Sequence, residues 1–268
     1  MIATISETKR ILAKYQLTAK KKYGQNFLIE PTIINKIVAC LDGQENVIEI
    51  GPGLGGLTEQ LCQCKSVKAY EIDEDMYHVL INELTNDNLE IINQDFLTVD
   101  LATTITDKVT IVSNLPYYIT SDLLLKLFVN YQKIDKIIVM MQKQVAERFL
   151  NTANGKDCGP LQVISQLYSD VKLVCHVNRN NFYPSPDVDS TVLAFTINKK
   201  SNVVVDDKLF LDIVKACFSQ RRKFVLKNLK NCGFEISEED FARKNIALTS
   251  RAEQLQLSDY IKLYEVLK

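Results

Sequence analysis

The 268-residue sequence contains no uninterrupted apolar run of the about 18 residues that a membrane-spanning helix requires. Its first residues, MIATISETKR, lack the apolar stretch of a secretory signal, so the expected compartment is the cytoplasm. An excess of either charge is missing too. There are 32 lysines and arginines against 33 acids, a formal net charge of -1, so total charge does not advertise a nucleic-acid partner. Histidine occurs twice, at His78 and His176, and each stands alone. Cys62 and Cys64 form a pair, but no second pair follows at ligand spacing, so no metal site is expected. Seven cysteines, an odd number without framework spacing, fit reduced thiols rather than structural bridges. No internal repeat or low-complexity tract is visible.

A hydrophobic content of 46% with 24% charged residues suits a soluble globular chain with a real core, and the length favours a main domain plus a smaller one. Charge is concentrated locally. Six basic residues and no acid lie between Lys9 and Lys22, and a second basic cluster occupies QRRKFVLKNLK, residues 220–230. Solvated faces and phosphate-binding surfaces are both open readings of such runs. Pro31 is placed to open a helix reaching about Cys40. From Asn46 onward, apolar strand-like runs alternate with helix-sized segments: NVIEI, VKAYEID, LEIINQDF, VTIVSNLPYY and KIIVMMQK. That alternation predicts parallel βαβ units in a doubly wound sheet. VKLVCHV and STVLAFTI flank the turn-rich NNFYPSPDVD and fit an antiparallel pair at the sheet edge, for seven strands in all. Beyond Ile197 the composition shifts to a linker and then to helical periodicity. The expected division is residues 1–200, with a basic N-terminal arm, and an all-helical segment 201–268, cut near residues 198–206.

GPGLGG after the first core strand satisfies a GxGxxG template through Gly51, Gly53 and Gly56. Glycines permit a sharp turn and close approach of the backbone to a ligand, and an acid about 20 residues further on binds ribose hydroxyls. Glu71 sits there. A dinucleotide enzyme would show the same two features, so the choice of cofactor is open at this point. Two later strand ends are more discriminating. Asp95 can accept from an adenine amine, and NLPYY offers the Asn114 amide, peptide carbonyls around Pro116 and the flat ring of Tyr117. These lie outside the carboxyl ends of strands, where open α/β sheets bind ligands. An adenine amine is a weak nucleophile because its lone pair is delocalised into the ring. Two acceptors pulling on its hydrogens favour a pyramidal nitrogen that can take a methyl group by in-line displacement, with alignment as the main catalytic contribution.

With these residues in place the chain resembles the ribosomal RNA adenine dimethyltransferases, in particular their small-subunit, KsgA-type branch. The resemblance rests on YGQNFL (23–28), EIGPGLGGLT (49–58), EID (71–73), QDF (94–96), NLPYY (114–118), FYPSPDVDS (182–190) and FSQRRKFVLKNL (218–229). It implies an α/β fold, a Rossmann-like, seven-stranded class I methyltransferase domain followed by a small all-helical C-terminal domain. It implies S-adenosyl-L-methionine as cofactor, bound by Asn26, Leu28, Gly51, Glu71, Asp95 and Asn114, with Gly53, Ile72 and Phe96 beside them. Asn114, Leu115, Pro116, Tyr117 and Phe182 are the implied catalytic set, the two rings holding the target base. The implied reaction dimethylates two adjacent adenosines near the 3′ end of small-subunit rRNA, within an immature subunit whose maturation it serves. A monomer is expected. Arg221, Lys223, Lys227 and Lys230 are the expected RNA contacts. On one continuous helix Phe218, Val225 and Leu229 would share a face opposite Lys223, Lys227 and Lys230, and Arg222 would fall near the apolar side. Asp187, and the absence of proline from residues 178–180, depart from the family pattern. The rival readings are a non-enzymatic RNA-binding factor on this fold and a nucleotide-dependent oxidoreductase.

Overall fold

The computed structural model of the protein describes residues 1–41, 43, 45–114, 119–150 and 158–268. Helix α1, Ile5–Lys14, is capped by Thr4, whose hydroxyl accepts from the Glu7 N–H. A short strand β1, Phe27–Leu28, precedes α2, Pro31–Val38. Pro31 opens α2 as expected, because the first turn does not need its missing N–H, and Ile33, Ile34 and Ile37 form the buried stripe. The sheet then builds through β2 (Asn46–Ile50), α3 (Thr58–Leu61), β3 (Ser66–Glu71), α4 (Glu74–Glu83), β4 (Leu89–Asn93) and α5 (Leu101–Thr104). It continues through β5 (Val109–Asn114), α6 (Thr120–Val129) and β6 (Ile134–Gln142). Next come α7 (Lys143–Leu150), α8 (Pro160–Tyr168), β7 (Ser169–Val177), β8 (Phe182–Tyr183) and β9 (Ser190–Ile197). After the glycine turn, LTEQLCQC forms only the single turn of α3. The Asn88 amide takes the carbonyls of Cys62 (2.9 Å) and Cys64 (2.8 Å), ending the helical ladder there.

Among the described residues the main sheet has seven strands in the order β4-β3-β2-β5-β6-β9-β7. The pairs β2/β3, β3/β4, β2/β5 and β5/β6 are parallel, and β9 runs antiparallel to β6. The first five residues of β5 are all buried, the reason its sequence reads as an unbroken apolar run rather than an alternation. The chain leaves β2 in one direction to β3 and β4, then returns to add β5 on the other side of β2. The C-terminal ends of β2 and β5 therefore flank the crevice where doubly wound sheets take their ligands.

Residues Met1–Ala146 and Val171–Ile197 make one compact unit; Glu147–Asp170 and Asn198–Lys268 make another. Beside the expected cut near residues 198–206, α8 thus also packs with the second unit. That unit holds α9 (Asp207–Cys217), α10 (Val225–Asn231), α11 (Glu238–Arg243) and α12 (Leu257–Leu267). Its core includes fully buried Phe210, Val225, Leu229, Phe241 and Tyr260, with the rings of Phe218 and Tyr260 stacked at 6.2 Å. The expected continuous helix through residues 218–230 starts only at Val225, after a turn that follows α9. Phe218 caps α9, and the buried Asn228 amide takes the carbonyls of Cys217 (2.7 Å) and Gln220 (3.0 Å), so the chain turns between α9 and α10. The seven cysteines are unbridged. Among the described residues no helix is long and apolar enough to cross a membrane.

Candidate functional site

The crevice between the ends of β2 and β5 opens into a cavity of about 250 Å³ within the first unit. Gly51 follows β2 in the left-handed region at φ 70°, where a side chain would be strained, and a Cβ built there would meet nothing within 4 Å. Gly53, at φ 59°, turns its N–H onto Glu71 Oε2 at 3.0 Å. The other carboxylate oxygen of Glu71 accepts from the Asp73 N–H at 2.8 Å, so the side chain is locked between the glycine turn and the end of β3 while each oxygen keeps a lone pair for a ligand. Burial raises the Glu71 pKa, the N–H bonds from Asp73 and Gly53 draw it back, and the Asp73 charge pushes it up again.

Asp95 caps a one-turn 3-10 segment, Phe96–Thr98, by accepting from the Leu97 N–H at 2.9 Å. Phe96 is 4% exposed, with the Tyr70 ring packed edge-on at 5.1 Å. Asn114 ends β5, and its Nδ2 donates to the Asn26 carbonyl at 3.4 Å. Because a carbonyl can only accept, this contact decides which end of the amide is which and leaves Oδ1 as the acceptor for a substrate. One residue earlier, Ser113 Oγ donates to the Ile50 carbonyl at 2.5 Å and ties the ends of β2 and β5 together.

Two further segments close the cavity. β1 pairs antiparallel with β8, Phe27 opposite Tyr183 and Leu28 opposite Phe182, which brings Asn26 and Leu28 to the same cavity as Phe182. Lys20 Nζ bonds Asp73 Oδ1 at 2.6 Å and Asp75 Oδ2 at 2.5 Å, and Gln25 Nε2 bonds Asp73 Oδ2 at 2.7 Å. These contacts strap residues 20–25 across the turn that carries Glu71 and Ile72. The departure at residues 178–180 has a local compensation: Asn178 Oδ1 accepts from Asn180 N–H at 2.9 Å and builds the turn without proline.

The cavity lining collects Asn26, Leu28, Gly51, Gly53, Glu71, Ile72, Asp95, Phe96, Asn114 and Phe182, all nominated from the sequence. Leu115, Pro116 and Tyr117 lie outside the described residues. Arg221, Lys223, Lys227 and Lys230 belong to the second unit, where Lys227 and Lys230 stand exposed on α10 while Val225 and Leu229 are buried. Arg222, expected near the apolar side, is exposed, because it lies in the turn between α9 and α10 rather than on a helix.

Sequence reasoning missed Glu49, which lines the cavity at 2% exposure and has no hydrogen-bond partner for Oε2. Burial pushes its carboxyl up to about 8, the Thr58 hydroxyl lowers it, and the Glu71 charge raises it. An acid inside the otherwise apolar NVIEI was the available signal. Thr8 also reaches the lining, by the packing of α1, and no local pattern announced it.

The described lining carries three carboxyl groups, Glu49, Glu71 and Asp95, and no lysine or arginine. Acids without a neighbouring cation suit a ligand bearing positive charge. The glycine turn, the buried acid Glu71 bonded to it, the Asp95 turn and the strand order β4-β3-β2-β5-β6-β9-β7 together define a class I, S-adenosylmethionine-dependent methyltransferase.

The family description "Ribosomal RNA adenine dimethylase" matches residues 16–268. The ribosomal RNA small subunit methyltransferase A of Staphylococcus carnosus is 38% identical across 100% of this chain and 96% of its own length. The protein of the same name from Geobacillus thermodenitrificans is 43% identical over 241 residues, 86% of this chain and 82% of its own. A dimethyladenosine transferase from Plasmodium falciparum superposes with a TM-score of 0.72 at 26% identity, covering 87% of this chain and 94% of that one. The 23S rRNA methyltransferase ErmE shares the fold, with a TM-score of 0.67 at 22% identity over 90% of this chain and 99% of its own. The chain belongs to the ribosomal RNA adenine dimethylase family.

Proposed function

We propose that this enzyme dimethylates two adjacent adenosines near the 3′ end of small-subunit rRNA, within an immature small subunit in the cytoplasm, as a step in subunit maturation. The observation that carries the reading is a lining that runs from the glycine turn to Asn114 and whose only charged side chains among the described residues are acids, together with alignment along whole small-subunit relatives. Bound S-adenosylmethionine supplies a methyl group activated by its positive sulfur. Glu71 holds the ribose hydroxyls through the lone pairs left by its two N–H bonds. Asp95 accepts from the cofactor's adenine amine, while Ile72 and Phe96 cover the ring faces. Gly51 and Gly53 let the backbone approach without a side chain between.

On the acceptor side, Asn114 Oδ1 takes a hydrogen of the target amine, with its other end moored to Asn26. With a second acceptor on the other hydrogen, the nitrogen lone pair is turned out of the ring toward the methyl group. Tyr117 and Phe182 grip the base, a contact of about 1–3 kcal/mol per stacked base. Arg221, Lys223, Lys227 and Lys230 engage phosphates and position the particle rather than read sequence. The small-subunit assignment over a large-subunit one is favoured by relatives of that name at 38–43% identity.

The test is incubation with labelled S-adenosylmethionine and immature small subunits, followed by nucleoside analysis. Wild type should yield dimethyladenosine, and Asn114→Ala should bind cofactor yet lose about 100-fold or more of the rate. Label in another nucleoside, or an Asn114→Ala enzyme as fast as wild type, overturns the reading.

A further inference from the structure

Lys126 lies in the last turn of α6, one turn beyond Leu123 of the cavity lining. A lysine there could extend into water. Instead it folds back, and its ammonium donates to three main-chain carbonyls: Phe96 at 3.0 Å, Leu97 at 2.6 Å and Val99 at 2.5 Å. An ammonium has three N–H donors, and all are spent on one turn. That turn presents Asp95, Phe96 and Leu97 to the cavity. The same Nζ sits 5.8 Å from the centroid of the Phe96 ring, which also packs in a T-shaped pair with Tyr70. A 3-10 turn is too short to satisfy its own carbonyls, so an outside donor decides where it rests.

We propose that Lys126 is a positioning residue for cofactor recognition: it holds the Asp95–Phe96 turn at the height at which the carboxylate and the ring meet the cofactor's adenine. The proposal rests on the reading of the site given above. Lys126 touches neither cofactor nor reacting atoms; it acts through the turn. The molecule supplies its own control. Lys133 makes the same kind of contact slightly further on, donating to the carbonyls of Ala102 at 2.7 Å and Ile105 at 2.5 Å, in a segment that contributes nothing to the cavity lining.

The experiment compares wild type, Lys126→Met and Lys133→Met by calorimetric titration with S-adenosylmethionine and S-adenosylhomocysteine, and by steady-state methyl transfer to immature small subunits. Lys126→Met should raise Kd and the cofactor KM about tenfold, the size expected for a lost charge-assisted contact, with kcat at saturating cofactor within about twofold of wild type. Lys133→Met should leave Kd unchanged. Combining Lys126→Met with Asp95→Asn should cost less than the product of the two single effects, since both act on one turn. Lys126→Gln keeps N–H donors on a shorter side chain, is expected between wild type and Met, and serves the same comparison if Met does not fold. Unchanged Kd in a folded Lys126 variant, or an equal rise in Lys133→Met, overturns the proposal. Failure of the wild-type protein to bind either ligand would instead overturn the underlying assignment of the site.

Discussion

Glu49 makes stability and cofactor affinity depend on pH in a calculable direction. Its carboxyl is buried and held at about 8, against 4.5 for the free group. Between those values the folded chain keeps a proton that the unfolded chain has lost. The unfolded state then binds fewer protons, so stability falls as pH rises through this window and levels off above about pH 8. The slope attributable to this group approaches at most about 1.4 kcal/mol per pH unit, on the order of a few kcal/mol over the whole window. For a chain of this size that corresponds to about 2 to 4 °C of Tm per kcal/mol. Glu49→Gln removes the titration while keeping the shape. The assay is unfolding of wild type and Glu49→Gln at a series of pH values from 5 to about 9, followed in the first unit. The difference between the curves isolates Glu49, and it should widen in favour of the glutamine variant as pH rises. Cofactor binding should move the opposite way. A positively charged ligand in this lining favours the ionised carboxylate, so wild-type affinity should increase across the same pH range and that of Glu49→Gln should not. Parallel stability curves, or identical pH profiles of affinity, would refute the reasoning.

Gly53→Ala places a side chain at φ 59° with its Cβ 3.2 Å from the Phe27 ring. The expected cost is about 1–2 kcal/mol in a thermal melt, with a larger loss of cofactor affinity by titration as the bond to Glu71 shifts. Lys20→Met leaves the buried Asp73 carboxylate with Gln25 but without its cation. Hydrogen exchange over residues 20–28 should accelerate and cofactor dissociate faster, while exchange in β5 stays slow. Lys227→Glu with Lys230→Glu should weaken binding to small subunits and flatten its salt dependence, leaving S-adenosylmethionine affinity intact. An equal loss of cofactor affinity would place those lysines in a different role.

Local chemistry made much of this protein legible before any fold was known. Periodicity announced the alternation of strands and helices because a doubly wound sheet buries both faces of its central strands. The glycine turn, Glu71, Asp95 and Asn114 each sit where a strand ends, and strand ends are marked by composition. Other features depend on contacts between distant segments. Glu49 looked like one polar residue in a strand until its burial beside Glu71 gave it a proton to hold. Nothing along the chain marks the carbonyls that Lys126 reaches or the carboxylates that Lys20 reaches; folding brings them together. The helix expected across residues 218–230 broke because buried Asn228 collects carbonyls from the end of α9, an interaction that periodicity does not encode. Helix α8 joined the second unit by packing against α9 and α12, which no composition shift marked. The order of elements and the identity of the chemical groups were readable along the chain, since both follow from neighbouring residues. Protonation, positioning and the transfer of α8 to the second unit follow from burial and from distances between residues far apart in the chain, which no local pattern encodes.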